Sequence, residues 1–323
     1  MKTMPRRALS IFTALLVCLS LSSCAKDGDG SSASSSAPSL LTSSDSTLSA
    51  PEPSSSEPEP SSASESESET SSAPQNDIAD KSAMSDDFLA IGSLDSTLVQ
   101  WGPGTRFMAD GKPEACVELQ KQYGGYGADF LREGDEFKGK VFLTFDEGYE
   151  NGYTASILDT LKEKGVSAVF FVTMPYAKGQ PELIRRMIDE GHVVGNHSVH
   201  HEDMSTLTLE QQYDEVAGLH AYMQDEYGYS MYLWRFPTGA FSVQNLALIQ
   251  KMGYTSVFWS FAYRDWETDA QPDAATAMAK ITGSLHDGEI FLLHAVSATN
   301  TAVLGDVIDY VRAQGYEFAK FEQ

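Results

Sequence analysis

The stretch that most constrains the fold is residues 141–153. An apolar run, interrupted only by Thr144, stops at the adjacent carboxylates Asp146 and Glu147, and Gly148 follows. An apolar run without alternation reads as a short strand buried on both faces, as in a parallel sheet. Gly148 permits a tight turn, and residues 153–164 carry a helical pattern. Two acids at the carboxyl end of a buried strand sit where α/β folds place their chemistry. The plainer alternative is that one acid caps the following helix.

The same alternation continues down the chain. Strand patterns at 168–172, 192–195, 232–234, 256–261, 289–293 and 316–321 are separated by helical patterns at 181–190, Leu209–Tyr227, 243–252, 272–285 and 303–314. Thr208 and Gln211 stand in capping-box spacing before the longest helix, and Gly191 and Gly253 stop two others. Such alternation predicts βα units on a parallel sheet. About seven strands suit a distorted (β/α) barrel, closed or nearly closed, better than an open sheet. The fold class is therefore α/β with an N-terminal extension.

The ends are of a different kind. Residues 1–23 have a basic start (Lys2, Arg6, Arg7) and an apolar run too short to span a membrane comfortably, the form of a signal peptide. Leu21-Ser22-Ser23-Cys24 resembles a bacterial lipobox, which implies cleavage before Cys24 and a lipid on it; the alternative is an ordinary signal peptide or an uncleaved anchor. Either way the remainder lies outside the cytoplasmic membrane. Residues 24–85 read as a linker, dominated by Ser with Pro, Glu, Ala and Asp. They have too few large apolar side chains to offset the entropy of ordering. Residues 86–137 read as an extension packed on the main domain, with a helix over Glu114–Tyr123, and 138–323 as the main domain itself.

The formal charge is −24, and eleven acids between Asp27 and Asp80 face the single base Lys26. Such excess acid argues against nucleic acid or an anionic membrane surface as partner. Of three cysteines, Cys18 leaves with the leader and Cys24 carries the lipid, so Cys116 has no partner and reads as a small buried residue.

Polar residues recur at the ends of the predicted strands. His197 and His201 are four apart, so a helical turn would present both imidazoles on one side to a metal. With Asp146 and Glu147 they make a candidate two-His-plus-carboxylate site. His192 and His200 read as structural. Arg235 is either a surface cation or the partner that keeps a carboxylate ionised. His294 ends a very apolar strand and is either a core histidine or a functional one.

These stretches together resemble the polysaccharide deacetylase family, the carbohydrate esterases with a NodB homology domain. Five motifs occur in order: Thr144-Phe145-Asp146-Glu147-Gly148, His197-Ser198-Val199-His200-His201, Arg235-Phe236-Pro237-Thr238-Gly239, Asp265-Trp266 and Leu292-Leu293-His294. Residues 148–153, Phe258-Trp259-Ser260 and residues 293–297 carry a closer likeness to the peptidoglycan N-acetylmuramic acid deacetylases. The resemblance implies metal-dependent removal of N-acetyl groups from cell-wall glycan by a monomer. The metal is a divalent ion, often zinc. In that family's terms Asp146 is the general base, Arg235 its orienting cation, His294 the general acid and Asp265 the residue tuning it. His197, His201 and Glu147 hold the metal, and the backbone of Thr238 helps bind the oxyanion. Tyr149 and Trp266 are candidates to stack on sugar.

Two departures stand out. Glu147 occupies a position where most relatives have Asp, and Phe236 one where many have proline. Two further readings stay open. One is a deacetylase of chitin-like, poly-N-acetylglucosamine or acetylxylan chains. The other is a wall carbohydrate-binding protein whose turnover is weakened through Glu147.

Overall fold

The computed structural model describes residues 76–322. The leader, Cys24 and the linker as far as residue 75 lie outside the described residues. Packing is already established at Asn76, upstream of the expected linker boundary at 85. Its buried side-chain amide donates to the carbonyls of Met231 (3.0 Å) and Met252 (3.4 Å).

In chain order the helices and strands begin with α1 (Ser85–Gly92), β1 (Val99–Gln100), α2 (Glu114–Tyr123) and β2 (Ala128–Asp129). The central run is β3 (Lys140–Glu147), α3 (Thr154–Lys164), β4 (Val169–Val172), α4 (Met174–Gly179), α5 (Pro181–Asp189), β5 (Val193–Asn196) and α6 (Leu209–Tyr227). The chain continues through β6 (Leu233–Trp234), β7 (Ala240–Phe241), α7 (Val243–Lys251), β8 (Thr255–Val257) and β9 (Phe261–Ala262). It ends with α8 (Ala274–Ile281), β10 (Glu289–His294), α9 (Ala298–Ala313) and β11 (Glu317–Phe318). The capping box read at Thr208 and Gln211 is present at α6, and Gly228 closes that helix in the left-handed conformation.

Nine strands form the main sheet, more than the about seven counted from sequence, in the order β2-β8-β6-β5-β4-β3-β10-β9 with β11 also on β3. Every pair in it is parallel. β4 meets β3 only from Thr144 onward, and β11 fills the edge left beside Lys140 and Val141.

The run 256–261, read as one strand, is two. β9 ends the strand order and β8 is next to its other end, yet only Phe258–Ser260 separate them. The four Cα–Cα steps from Val257 to Phe261 span about 15 Å at most, so the two sides of the sheet come close and the sheet curls into a barrel. The connecting segment is held from both sides: Phe258 donates its N–H to Asp129 and Ser260 donates to Ile290.

Strand alternation sorts the core into two layers. Phe142, Phe171, Val193, Val257 and Ile290 pack inside the curl and Phe321 caps them. Val141, Leu143 and Phe145 point outward onto helix residues such as Ile157, Leu161, Val216 and Val307. Cys116 is buried and unpaired, as read. The extension is part of the frame: β2 adds an edge strand to β8, and Trp101 packs on Phe130 and Trp259.

Gly195 in β5 is a point of close approach. A Cβ there would lie 2.4 Å from the Phe171 ring. That ring cannot step aside freely, because the Arg235 guanidinium sits on it, 4.1 Å from its centroid. Gly195→Ala is expected to cost about 1–3 kcal/mol by overpacking, several degrees in Tm. Thermal denaturation checks this, and an unchanged Tm would mean that the ring is free to move.

Candidate active site

Because the main sheet is parallel, the carboxyl ends of its strands share one side. β3 ends at Asp146 and Glu147, β10 at His294, and the chain leaves β5 into His197 and β6 into Arg235. There they bound a cleft of about 740 Å³, lined by Asp146, His197, His200, His201, His294 and Thr238 with the aromatic side chains Tyr149, Phe236, Trp259 and Trp266. Asp146 and His294 are register partners on adjacent strands, so a carboxylate and an imidazole stand side by side.

Arg235 is completely buried, and its donors are engaged. Nη1 donates to Asp146 Oδ1 at 2.7 Å, Nε to the Val257 carbonyl at 3.0 Å and Nη2 to the Phe258 carbonyl at 3.1 Å. Burial by itself would raise the Asp146 carboxyl. The charge of Arg235, helped by His197 and His294, overcomes that and holds it below the usual carboxylate range. Of the two sequence readings of Arg235, the carboxylate partner is the one observed.

His294 is fixed by Asp265, which follows β9. Asp265 accepts from the His294 backbone N–H (2.9 Å), from ring Nδ1 (2.7 Å) and from Asn300 Nδ2 (2.5 Å). Since a carboxylate only accepts, Nδ1 carries hydrogen and Nε2 is free for the cleft. Burial lowers this imidazole, but the bond to Asp265 and the nearby negative charges raise it, and the net direction is up. Asn300, on α9, was not singled out from sequence; a lone asparagine inside a helix carries no signal.

The histidine pair arrives by a different route from the one expected. Residues 197–201 form a loop, not a helical turn, and Ser198 (φ 77°) and His201 (φ 58°) both take left-handed backbone. The rings still meet, with centroids 4.8 Å apart. His197 Nδ1 donates to the Arg235 carbonyl at 3.0 Å, and Nε2 lies 3.5 Å from Asp146 Oδ2. Burial pulls His197 down to about 4 against the opposing pull of Asp146.

Glu147 is not with them. As Asp146's strand neighbour it projects to the opposite face, where Oε1 is 3.4 Å from Thr154 Oγ1 and Oε2 has no partner. Burial, and then the charge of Glu150, raise its carboxyl well above the usual range. Among the described residues no three His, Cys, Asp or Glu side chains converge to hold a metal ion. The two-His-plus-Glu set expected from sequence is thus not assembled, and the donors present do not fit the expected metal. Nor does Asp146 or Glu147 cap the next helix; Glu150 accepts from the N–H groups of Gly152 (2.5 Å) and of Thr154, the first residue of α3 (3.4 Å).

The rim has the other expected residues. Thr238 lines the cleft with left-handed backbone (φ 61°). Tyr149 is 55% exposed and Trp266 48%, the latter edge-on to His294 with centroids 5.4 Å apart. Trp259 is backed by Gly239, where a Cβ would lie 2.7 Å from its ring, and Trp101 Nε1 donates to its carbonyl. His200, read as structural, also lines the cleft.

The chain is similar to known proteins in sequence and fold. The polysaccharide deacetylase family profile matches residues 133–257. The peptidoglycan-N-acetylmuramic acid deacetylase PdaA of Bacillus subtilis is 39% identical over 226 residues, 69% of this chain and 84% of that protein. A chitooligosaccharide deacetylase of a Bradyrhizobium strain is 36% identical over 155 residues, 48% of this chain and 69% of its own. The crystal structure of B. subtilis PdaA, a family 4 carbohydrate esterase, superposes with a TM-score of 0.65 at 38% identity, covering 70% of this chain and 95% of that one. Similarity of this extent, on a curled parallel sheet with its polar residues at the strand ends, means that the chain belongs to the polysaccharide deacetylase family.

Proposed function

We propose that the protein hydrolyses N-acetyl groups of cell-wall glycan, and that its substrate is the N-acetylmuramic acid of peptidoglycan. The observation that carries the reaction is the pairing of Asp146 with His294 on neighbouring strands, each with its own fixed partner. The likeness to PdaA across most of that protein's length supports the choice of sugar. A wall glycan lies outside the cytoplasmic membrane, where the leader read from the sequence would deliver the domain.

The chemistry follows from the two environments. Asp146, kept ionised by Arg235, takes a proton from a water whose oxygen attacks the acetyl carbonyl carbon. The tetrahedral intermediate collapses with cleavage of the C–N bond. His294 gives its Nε2 proton to the departing nitrogen, and the products are acetate and a free amino sugar. Proton transfer by a placed side chain contributes roughly 10²–10⁴-fold. The Thr238 backbone, on the cleft rim, is the candidate donor to the oxyanion. No step is routed through a metal, because the donor set is incomplete.

Acetate release by residues 76–323 from denuded glycan strands and from chito-oligosaccharides, measured side by side, tests both substrate readings. Release from the muramic substrate, reduced about 10²–10⁴-fold in Asp146→Asn, is expected. Release from chito-oligosaccharides alone would transfer the activity to the second substrate class, and bound glycan with no release would leave only a binding protein.

The pH profile follows from His294, which must be protonated to act as the acid. As pH rises through its pKa, which lies above the ordinary 6.5, kcat/KM should fall. Asp265→Asn removes the charge that raises it, so this limb should move to lower pH. A limb that stays in place would remove Asp265 from the acid's control.

Zinc titration by calorimetry should give the same isotherm for wild type and Glu147→Gln. A tenfold weaker isotherm in the variant would show that Glu147 turns toward the histidines.

A further inference from the structure

His200 is held in an unusual way for a residue with no assigned role. Its backbone N–H donates to Glu215 Oε2 at 2.8 Å and its ring Nδ1 to Glu215 Oε1 at 2.6 Å. Glu215 lies on α6 with its side chain 9% exposed, whereas that of His200 is 68% exposed. A buried carboxylate thus uses both oxygens to fix a ring that stands in solvent on the cleft wall.

Anchoring the histidine loop does not require the ring. The loop is already tied to α6 by the Val199 N–H, which donates to the Glu215 carbonyl at 3.2 Å. Because Nδ1 is taken up by the carboxylate, Nε2 is the ring nitrogen left for a ligand in the cleft. Among the lining residues, the side chains of Pro175, Phe236 and Val296 have no acceptor, and Thr173 Oγ1 is engaged by the Gly148 carbonyl and the Tyr176 N–H.

Resting on the deacetylase reading, we infer that His200 recognises the substrate: its Nε2 hydrogen-bonds a sugar hydroxyl of the glycan chain in the cleft. Glu215 is the positioning residue that sets the direction of the ring. The contact serves binding rather than bond cleavage, since it lies outside the Asp146–His294 pair.

Steady-state acetate release from glycan strands, with melting temperatures alongside, tests this in wild type, His200→Ala, His200→Gln and Glu215→Gln. His200→Ala should raise KM about three- to tenfold with kcat within about twofold, the signature of lost uniform binding. His200→Gln, whose amide oxygen reaches about as far as Nε2, should recover most of the loss. Glu215→Gln should raise KM by less than His200→Ala. An unchanged KM in His200→Ala, a loss confined to kcat, or a glutamine no better than alanine would overturn the inference. If wild type releases no acetate, it is the deacetylase reading that fails. Glycan-binding titrations of wild type and His200→Ala then decide the role of His200 alone: weaker binding in the variant supports it and equal binding refutes it.

Discussion

The buried pair of Arg235 and Asp146 is the interaction on which the rest of the site depends. A guanidinium and a carboxylate taken out of water cost several kcal/mol each unless nearly every donor and acceptor is met. The donors of Arg235 are met by Asp146 and by the carbonyls of Val257 and Phe258. Those carbonyls belong to the end of β8 and to the segment that crosses to β9, so closing the barrel also completes the shell of the arginine. The Phe171 ring supports the other side of the cation, in space left by Gly195. His197 in turn donates to the carbonyl of Arg235 itself. Sheet curvature, ion pair and histidine loop therefore form one mutually dependent unit.

Around that pair, environment assigns opposite states to groups of similar chemistry. Asp146 is lowered by a cation at contact distance, while Glu147, one residue on, is raised by burial and the charge of Glu150. His294, bonded to Asp265, is raised, while His197, with only a carbonyl on its Nδ1, is lowered. Groups whose environments push their proton affinities apart are what a reaction needing one base and one acid requires.

Much of this was legible in the chain because it depends on local pattern. The apolar run at 141–145, the capping box at Thr208 and the glycines after 190 and 252 act over a few residues, so the elements beside them could be placed within a residue or two; without such signals α9 begins five residues before the pattern read at 303 and α8 ends four before 285. Asp146, Arg235 and His294 were legible as residues whose types suit chemistry at strand ends. What misled was register and backbone hand. An i, i+4 histidine pair suggests a helix, but positive φ at Ser198 and His201 brings the rings together through a loop. Adjacent acids suggest one site, but strand alternation puts their side chains on opposite faces. His200 and Asn300 depend on partners, Glu215 and Asp265, that lie far away in sequence.

The sequence by itself determined that parallel βα units would form and that carboxylate, arginine and imidazole side chains would end several strands. Burial patterns and caps are set by neighbours along the chain, which is why they can be read there. Only the tertiary structure decided which of those residues meet. Curling the sheet until β8 and β9 are three residues apart places Arg235 on Asp146, beside His294, and leaves Glu147 behind the sheet. That choice belongs to packing and desolvation between distant segments, because a buried charge is stable only where the whole fold supplies its partner.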